Sequence, residues 1–207
     1  MMHHQGTNLG GGATAWRLLA SIGLLSACIV FRRELTATMA LHMLVHLPAI
    51  ILAGVMAAWA VAGGRRTVPD RCGLPGSGQG ACSYNEQGIP GLMLVTLVLA
   101  YWMIPKALDD AVASEWTHSL KFFSLFVAGI VLWASLRQAR NVVKLFFLGN
   151  FSWMTAIIGV LYQDHATRLC NFYLLGDQAW AGIGLVAYAA VLPIGAVAAY
   201  YVKDVKG

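Results

Sequence analysis

The stretch at residues 39–48 reads MALHMLVHLP and lies inside an apolar run, residues 36–63, that is long enough to cross a membrane. Histidine is expensive in the hydrocarbon region, so an intramembrane histidine usually faces the protein interior and serves a function. Thioether and imidazole groups together form a soft donor set that suits copper, especially Cu(I). Four such side chains follow the i, i+3, i+4, i+7 spacing of one helical face: Met39, His42, Met43 and His46.

The composition indicates an integral membrane protein. Of the 207 residues, 58% are hydrophobic and only 11% are charged, whereas about 25% are charged in an ordinary soluble domain. The mean hydropathy is +0.66. We therefore predict an all-α fold, a polytopic membrane helical bundle in contact with the lipid bilayer. The net charge of +5 does not indicate nucleic-acid binding, because the Lys and Arg residues lie in short loops and at the ends of apolar runs.

Six apolar runs predict about six transmembrane helices within a single domain, residues 16–203. We expect the first run to be a retained span rather than a cleaved signal peptide. An N-terminal tail, residues 1–15, precedes it, and a Gly/Pro-rich loop, residues 64–90, follows the second run. A short interfacial helix is predicted at residues 106–115. The predicted spans are residues 16–31, 36–63, 91–104, 116–136, 142–162 and 172–202.

Charge counting predicts the orientation of the chain. An even number of spans places both termini on one side, which carries nine of the fourteen Lys and Arg residues, against four on the other side. The positive-inside rule then predicts cytoplasmic N- and C-termini in a bacterial inner membrane. The same count places the loop with Cys72 and Cys82 in the cytoplasm, where thiols usually stay reduced. Whether these two cysteines are bonded stays open.

Further polar residues lie near the outer ends of the later spans. His118 and Lys121 share a face of the fourth span, and Asp177-Gln178 precede the apolar part of the last one. The structural alternatives are an interfacial histidine, a snorkelling lysine and a helix N-cap. Because buried ionisable groups in a membrane need partners, we predict that Asp177, Lys121 and His118 share a cavity.

Four short motifs follow one another along residues 36–190. They are HMLVH, then W-x-x-P-x-x-L-D-x-A from Trp102, W-x-H with a later G-x-x-L-W from Trp116, and Y-L-x-x-D-Q-x-x-x-G from Tyr173. In this order they resemble the CtaG family of cytochrome c oxidase assembly factors, which are multispan proteins linked to copper maturation of the oxidase. The chain departs from the family pattern at Met103 and Phe122, where the family tends to have histidine, and in its six rather than seven predicted spans.

The resemblance implies an integral membrane copper-binding protein that is not an enzyme. Its expected role is to assist copper insertion into, or assembly of, a respiratory cytochrome c oxidase, a haem–copper oxidase that would be its partner. Residues behind the ligands would orient an imidazole through its other nitrogen. The resemblance carries over His42, His46, Met43 and His118 as metal ligands, and Asp177 and Gln178 as residues that orient them. The helical face adds Met39 as a further soft ligand, and Lys121 is added to the residues that orient the ligands.

Two alternatives from other functional classes stay open. His46 and His118, on different spans, could be the axial ligands of haem b in a haem- or quinone-binding subunit. The polar residues could instead form helix-to-helix hydrogen bonds in a purely structural subunit of a larger membrane complex.

Overall fold

The computed structural model describes residues 9–63, 85, 87–164 and 167–205, and all regular secondary structure in these residues is helical. The all-α prediction is therefore confirmed. The helices are α1 (Leu9–Val30), α2 (Arg32–Leu35), α3 (Met39–Leu41), a π-helical turn (His42–His46), α4 (Leu47–Gly63), α5 (Ile89–Trp102), α6 (Pro105–Ala113), α7 (Glu115–Gln138), α8 (Asn141–Asp164) and α9 (Leu175–Val205).

Four helical stretches are long and apolar enough to cross a membrane, and α5 with α6 makes a fifth if this bent pair is one span. The four are Met39–Ala62, Glu115–Gln138, Asn141–Asp164 and Leu175–Ala198.

The predicted count of six differs from this count at two places. The first predicted span corresponds to a shorter apolar helix, Thr14–Val30. The third corresponds to α5, which has 14 residues, whereas a span needs about 20. Pro105 forces Ile104 into an extended conformation (φ −73°, ψ 129°), and the chain turns by 73° between α5 and α6.

Two predicted connecting segments are only partly described. Helix α1 begins at Leu9, so part of the tail predicted at residues 1–15 is helical. Most of the predicted loop at residues 64–90 lies outside the described residues, and so do Cys72 and Cys82.

Close packing between α4 and α7 positions the histidine turn. A Cβ atom at Gly54 would collide with the carbonyl oxygen of Phe126, and one at Gly129 with the carbonyl oxygen of Ile51. Small residues let two backbones approach in this way in membrane helices. Helix α4 also packs against α1, while α8 pairs with α9, and α9 contacts α3 and the π-helical turn. The histidine turn therefore lies between α7 and α9.

Candidate functional site

The π-helical turn widens a continuous helix just before a proline. Pro48 has no backbone N–H, and its ring crowds the carbonyl of Leu44. The N–H of Leu47 instead donates to the carbonyl of His42, five residues earlier. In this turn the rings of His42 and His46 meet edge to face with their centroids 5.5 Å apart, and neither side chain has exposed surface. Single π-helical turns inside α-helices often occur at functional sites.

His42 uses both of its ring nitrogens. Burial raises the pKa of Tyr173, so its hydroxyl stays protonated and donates to the carbonyl of Thr36 over 3.2 Å. Because that proton is committed, the 2.7 Å bond between His42 Nδ1 and Tyr173 Oη is donated by the imidazole. His42 Nε2 then accepts from Lys121 Nζ at 2.9 Å. Lys121 is itself completely buried. The hydrogen bonds from Lys121 through His42 and Tyr173 to Thr36 connect α7 to the segment before α3.

His46 forms no hydrogen bond with any described residue. Both of its ring nitrogens are buried, and neither finds a partner among the described residues. Its ring packs edge-on against Phe122 of α7, with the centroids 5.3 Å apart. A buried polar group without a partner costs about 1–3 kcal/mol, so each one in a native protein calls for an explanation, such as strain, a functional role, or a bound water or ion.

The two methionines of the predicted metal-binding face pack toward α8 and α9, whereas the histidine pair contacts α7. Met39 and Met43 are buried in a cluster with Met103, Cys170 and Tyr173. The cluster therefore contains three thioethers and one thiol. Tyr173 belongs to it and also bonds His42, so the sulfur-rich cluster and the histidine pair are direct neighbours.

His118 is separated from the pair by an aromatic ring. It contacts Phe122 at a centroid distance of 5.0 Å, and the same ring contacts His46. His118 also lines a polar cavity of about 180 Å³ together with Arg32 and Glu115. Arg32 donates two parallel hydrogen bonds, each 2.9 Å long, to the carboxylate of Glu115. Phe122 therefore lies between His46 and His118, which lines the polar cavity.

Gln178 and Asp109 hold the segment between α8 and α9. Gln178 Oε1 accepts from the N–H of Leu169 at 2.8 Å, and its Nε2 donates to the carbonyl of Tyr162 at 3.1 Å. Asp109 Oδ2 accepts from the backbone N–H and the side-chain amide of Asn171 at 2.7 and 3.1 Å. Asp109 Oδ1 is buried without a partner in the part of the chain that is described.

Asp177 has a different environment from the one predicted. It is half-buried in the first turn of α9, and its carboxylate forms no hydrogen bond or ion pair with Lys121 or His118. Lys121 bonds His42 instead. The shared contact that we predicted between Asp177 and Lys121 is therefore not found among the described residues, because the amine of Lys121 bonds His42 Nε2.

Cys170 lies in the segment that Asp109 holds. Its thiol donates to the carbonyl of Pro105 over 3.6 Å, and the residue is 1% exposed. Burial, with a further contribution from Asp109, raises the pKa of Cys170 to about 12. The thiolate is therefore scarce at neutral pH, and the thiol is expected to be chemically inert.

Among the described residues, no three side chains of His, Cys, Asp and Glu form a group that could hold a metal ion. The donors that remain are the free ring nitrogens of His46 and the thioethers of Met39 and Met43 on the same helix. Such soft donors suit Cu(I) rather than Ca²⁺ or Mg²⁺, which prefer oxygen ligands. The described residues therefore do not form a three-histidine centre.

Tyr173, Thr36 and Asp109 contribute to this site although helical periodicity does not indicate them. Thr36 follows the last residue of α2, so its carbonyl is free to accept a bond from outside the helix. Tyr173 precedes α9, and Asp109 lies in α6, the helix after the bend. The only signal in the sequence was the occurrence of Tyr173 and Asp109 in two of the short motifs.

Comparison with models of protein families, with curated proteins and with solved structures finds no match to this chain.

Proposed function

We propose that the protein is a copper-binding membrane protein of the bacterial inner membrane that assists copper insertion into, or assembly of, a respiratory cytochrome c oxidase. The observation that carries this proposal is His46, a completely buried imidazole whose two nitrogens have no partner among the described residues. Metal coordination would satisfy a nitrogen that otherwise stays desolvated and unpaired. The ordered motifs that resemble the CtaG family support copper as the cargo and the oxidase as the partner.

Within this proposal, His46 is the principal ligand and Met43 and Met39 supply soft thioether donors. Copper here is cargo, so the site has to bind and then release it. His42 is a neighbour whose Nε2 is occupied by Lys121, and it becomes a ligand only if Lys121 moves away. His118, next to the polar cavity, would receive the ion before it reaches His46.

Competition for Cu(I) with a calibrated chelator tests the proposal on the purified protein in detergent. We expect His46→Leu to lower the affinity more than about a hundredfold, because loss of a residue that only orients a ligand already costs about 10–100-fold. Met43→Leu is expected to lower the affinity less. Met93→Leu is the matched control, because Met93 is 53% exposed on α5. Equal Cu(I) binding by the wild type and His46→Leu contradicts the proposal.

Lys121→Met sharpens the same measurement. It frees Nε2 of His42 from the bond that now occupies it. One intramolecular hydrogen bond contributes about 1 kcal/mol, so we expect the Cu(I) affinity to rise about fivefold. An unchanged affinity would mean that His42 stays outside the metal site even when its nitrogen is free.

The partner and the orientation need separate tests. Transfer of copper from the loaded protein to copper-free oxidase in shared nanodiscs tests the delivery step. For the orientation, a membrane-impermeant thiol reagent applied to intact cells is expected to label Cys82 only after lysis, because the charge count places its loop in the cytoplasm. Rapid labelling before lysis contradicts the predicted orientation without affecting the copper site.

A structural subunit of a larger membrane complex is the second candidate. The observation in its favour is that His42, Lys121 and Gln178 use their polar atoms for contacts within the protein. This candidate predicts no copper binding by any variant. A Soret band in the purified protein would instead favour the haem-binding alternative, with His46 and His118 as the axial ligands.

A further inference from the structure

A crevice of about 460 Å³ separates α8 and α9 from α4, α5 and α7. Its volume falls in the range of about 300–1,000 Å³ that is typical of small-molecule sites. The walls are apolar over most of their area and include Leu47, Leu99, Phe151 and Leu185. Helix α9 contacts α3 and the π-helical turn but diverges from α4 below them, which opens the crevice.

The crevice has about the length of one membrane leaflet. Residues that line it along the π-helical turn and α4 run from Met43 to Val55. At 1.5 Å per residue this stretch is about 18 Å long, and half of a hydrocarbon core is about 15 Å thick. The crevice also opens sideways at Leu52, which lines it and is 52% exposed. A lipid chain can therefore enter from the surrounding leaflet.

A cation lies at the end of the crevice that is farther from the histidine turn. Lys144, in the first turn of α8, is half-buried and lines the crevice. Among the described residues its side chain forms no ion pair with a carboxylate. Arg137 and Arg140 are exposed nearby, and residues 136–150 contain no acidic residue. This end of the crevice is therefore complementary to an anionic headgroup.

We propose that the crevice binds one anionic phospholipid of the surrounding leaflet, with an acyl chain between the two helix groups and the phosphate on Lys144. An apolar cavity stays dry and takes apolar guests in preference to water. Left empty, the crevice would forfeit dispersion contacts along both walls. The basic cluster selects the charge of the headgroup, since each cation near a membrane surface attracts anionic lipid. The lipid proposal does not rest on the proposed copper function, although Met43 lines the crevice at the end nearer the histidine turn.

Native mass spectrometry of the full-length protein tests the proposal. The delipidated protein is titrated with phosphatidylglycerol or with phosphatidylcholine of the same acyl chains. We expect the wild type to retain one lipid and to prefer phosphatidylglycerol. Lys144→Gln is expected to reduce this preference about fivefold while chain binding persists. Lys106→Gln is the matched control, because Lys106 is exposed on α6 and does not line the crevice.

A second variant tests the acyl-chain part of the site. Leu148→Trp places a larger side chain in the crevice, and we expect the retained lipid to be lost for both headgroups. Leu161→Trp on the exposed face of the same helix should bind lipid as the wild type does. Four outcomes overturn the proposal: an unchanged headgroup preference in Lys144→Gln, lipid retention in Leu148→Trp, an isoprenoid quinone in place of the lipid, or a lipid-free dimer.

Discussion

His42 and His46 lie one turn apart on the same helix and are equally buried, yet they differ in every hydrogen bond. His42 bonds Tyr173 at 2.7 Å and Lys121 at 2.9 Å. Neither nitrogen of His46 has a partner among the described residues. Burial alone therefore does not distinguish a histidine whose ring nitrogens are bonded from one whose ring nitrogens have no partner. The distinction comes from the bonds that each ring nitrogen already makes.

The two histidines are bonded differently because the neighbouring helices place different side chains beside them. His42 lies where Lys121 of α7 and Tyr173 before α9 both reach the helix. His46 lies one turn further along, where α7 presents the apolar ring of Phe122. Phe122 also contacts His118, so a single aromatic side chain separates two imidazoles that a metal centre could have joined.

The largest expected effect comes from exchanging each histidine for leucine and comparing stability. His42→Leu leaves the amine of Lys121 buried without a partner, which costs about 1–3 kcal/mol and more if the group is charged. His46→Leu removes no hydrogen bond and relieves an unpaired group, so we expect the stability to stay the same or to rise. Unfolding curves of the two variants in the same detergent provide the comparison.

A double variant checks the cause of that difference. In His42→Leu with Lys121→Met both members of the bonded pair are apolar, and replacing both partners together is often nearly neutral. Most of the stability lost in His42→Leu should therefore return. Equal losses in His42→Leu and His46→Leu would contradict the contrast between the two rings.

Hydropathy and helical periodicity predict much of the fold. The spans predicted at residues 116–136 and 142–162 match α7 and α8 within two residues, because long apolar runs are unambiguous. The third predicted span, residues 91–104, also matches α5 within two residues, but α5 is too short to cross a membrane by itself. A proline at the start of the next helix is compatible with either a break or a kink.

The site is less predictable because it depends on contacts between residues far apart in the chain. The spacing of His42 and His46 indicates a buried polar face, and both are buried. The pairing of His42 with Tyr173, 131 residues later, follows from how α9 packs and has no local signal. Gln178 illustrates the same limit, because its bonds go to the chain around Leu169 and Tyr162 and not to an imidazole.

Asp109 has one carboxylate oxygen that is hydrogen-bonded and one that is not. Its replacement is expected to give the next largest effect. Its Oδ2 accepts two bonds from Asn171, while its Oδ1 has no partner among the described residues. Asp109→Ala releases the segment that buries Cys170, so the thiol should become accessible and its pKa should fall from about 12 toward its ordinary value. We expect maleimide to label Cys170 at least about tenfold faster at pH 8, because the thiolate is the reactive form.

The labelling uses a chain in which Cys28, Cys72 and Cys82 are replaced by serine, so that Cys170 is the only thiol. Asp110→Ala is the matched control, because Asp110 is exposed and its replacement removes the same charge. With the pKa raised to about 12, labelling of the parent chain should increase about tenfold per pH unit between pH 7 and 9. Rapid labelling at pH 7 in the parent chain would contradict the burial of Cys170.

The smallest effect is expected at the ion pair of Arg32 and Glu115, whose charged groups are hydrogen-bonded to each other but exposed to water. The side chains are 38% and 77% exposed, and water already solvates both charges. Glu115→Gln should therefore leave the unfolding midpoint unchanged within error at low and at high salt. Glu34→Gln is the matched control, since Glu34 is an exposed acidic residue near the same surface and forms no ion pair within the described residues. If Glu115→Gln lowered the unfolding midpoint as much as His42→Leu does, the loss of the hydrogen bond alone, without burial, would determine the loss of stability. An unchanged midpoint would instead show that a bond matters here only when its atoms are also withdrawn from water.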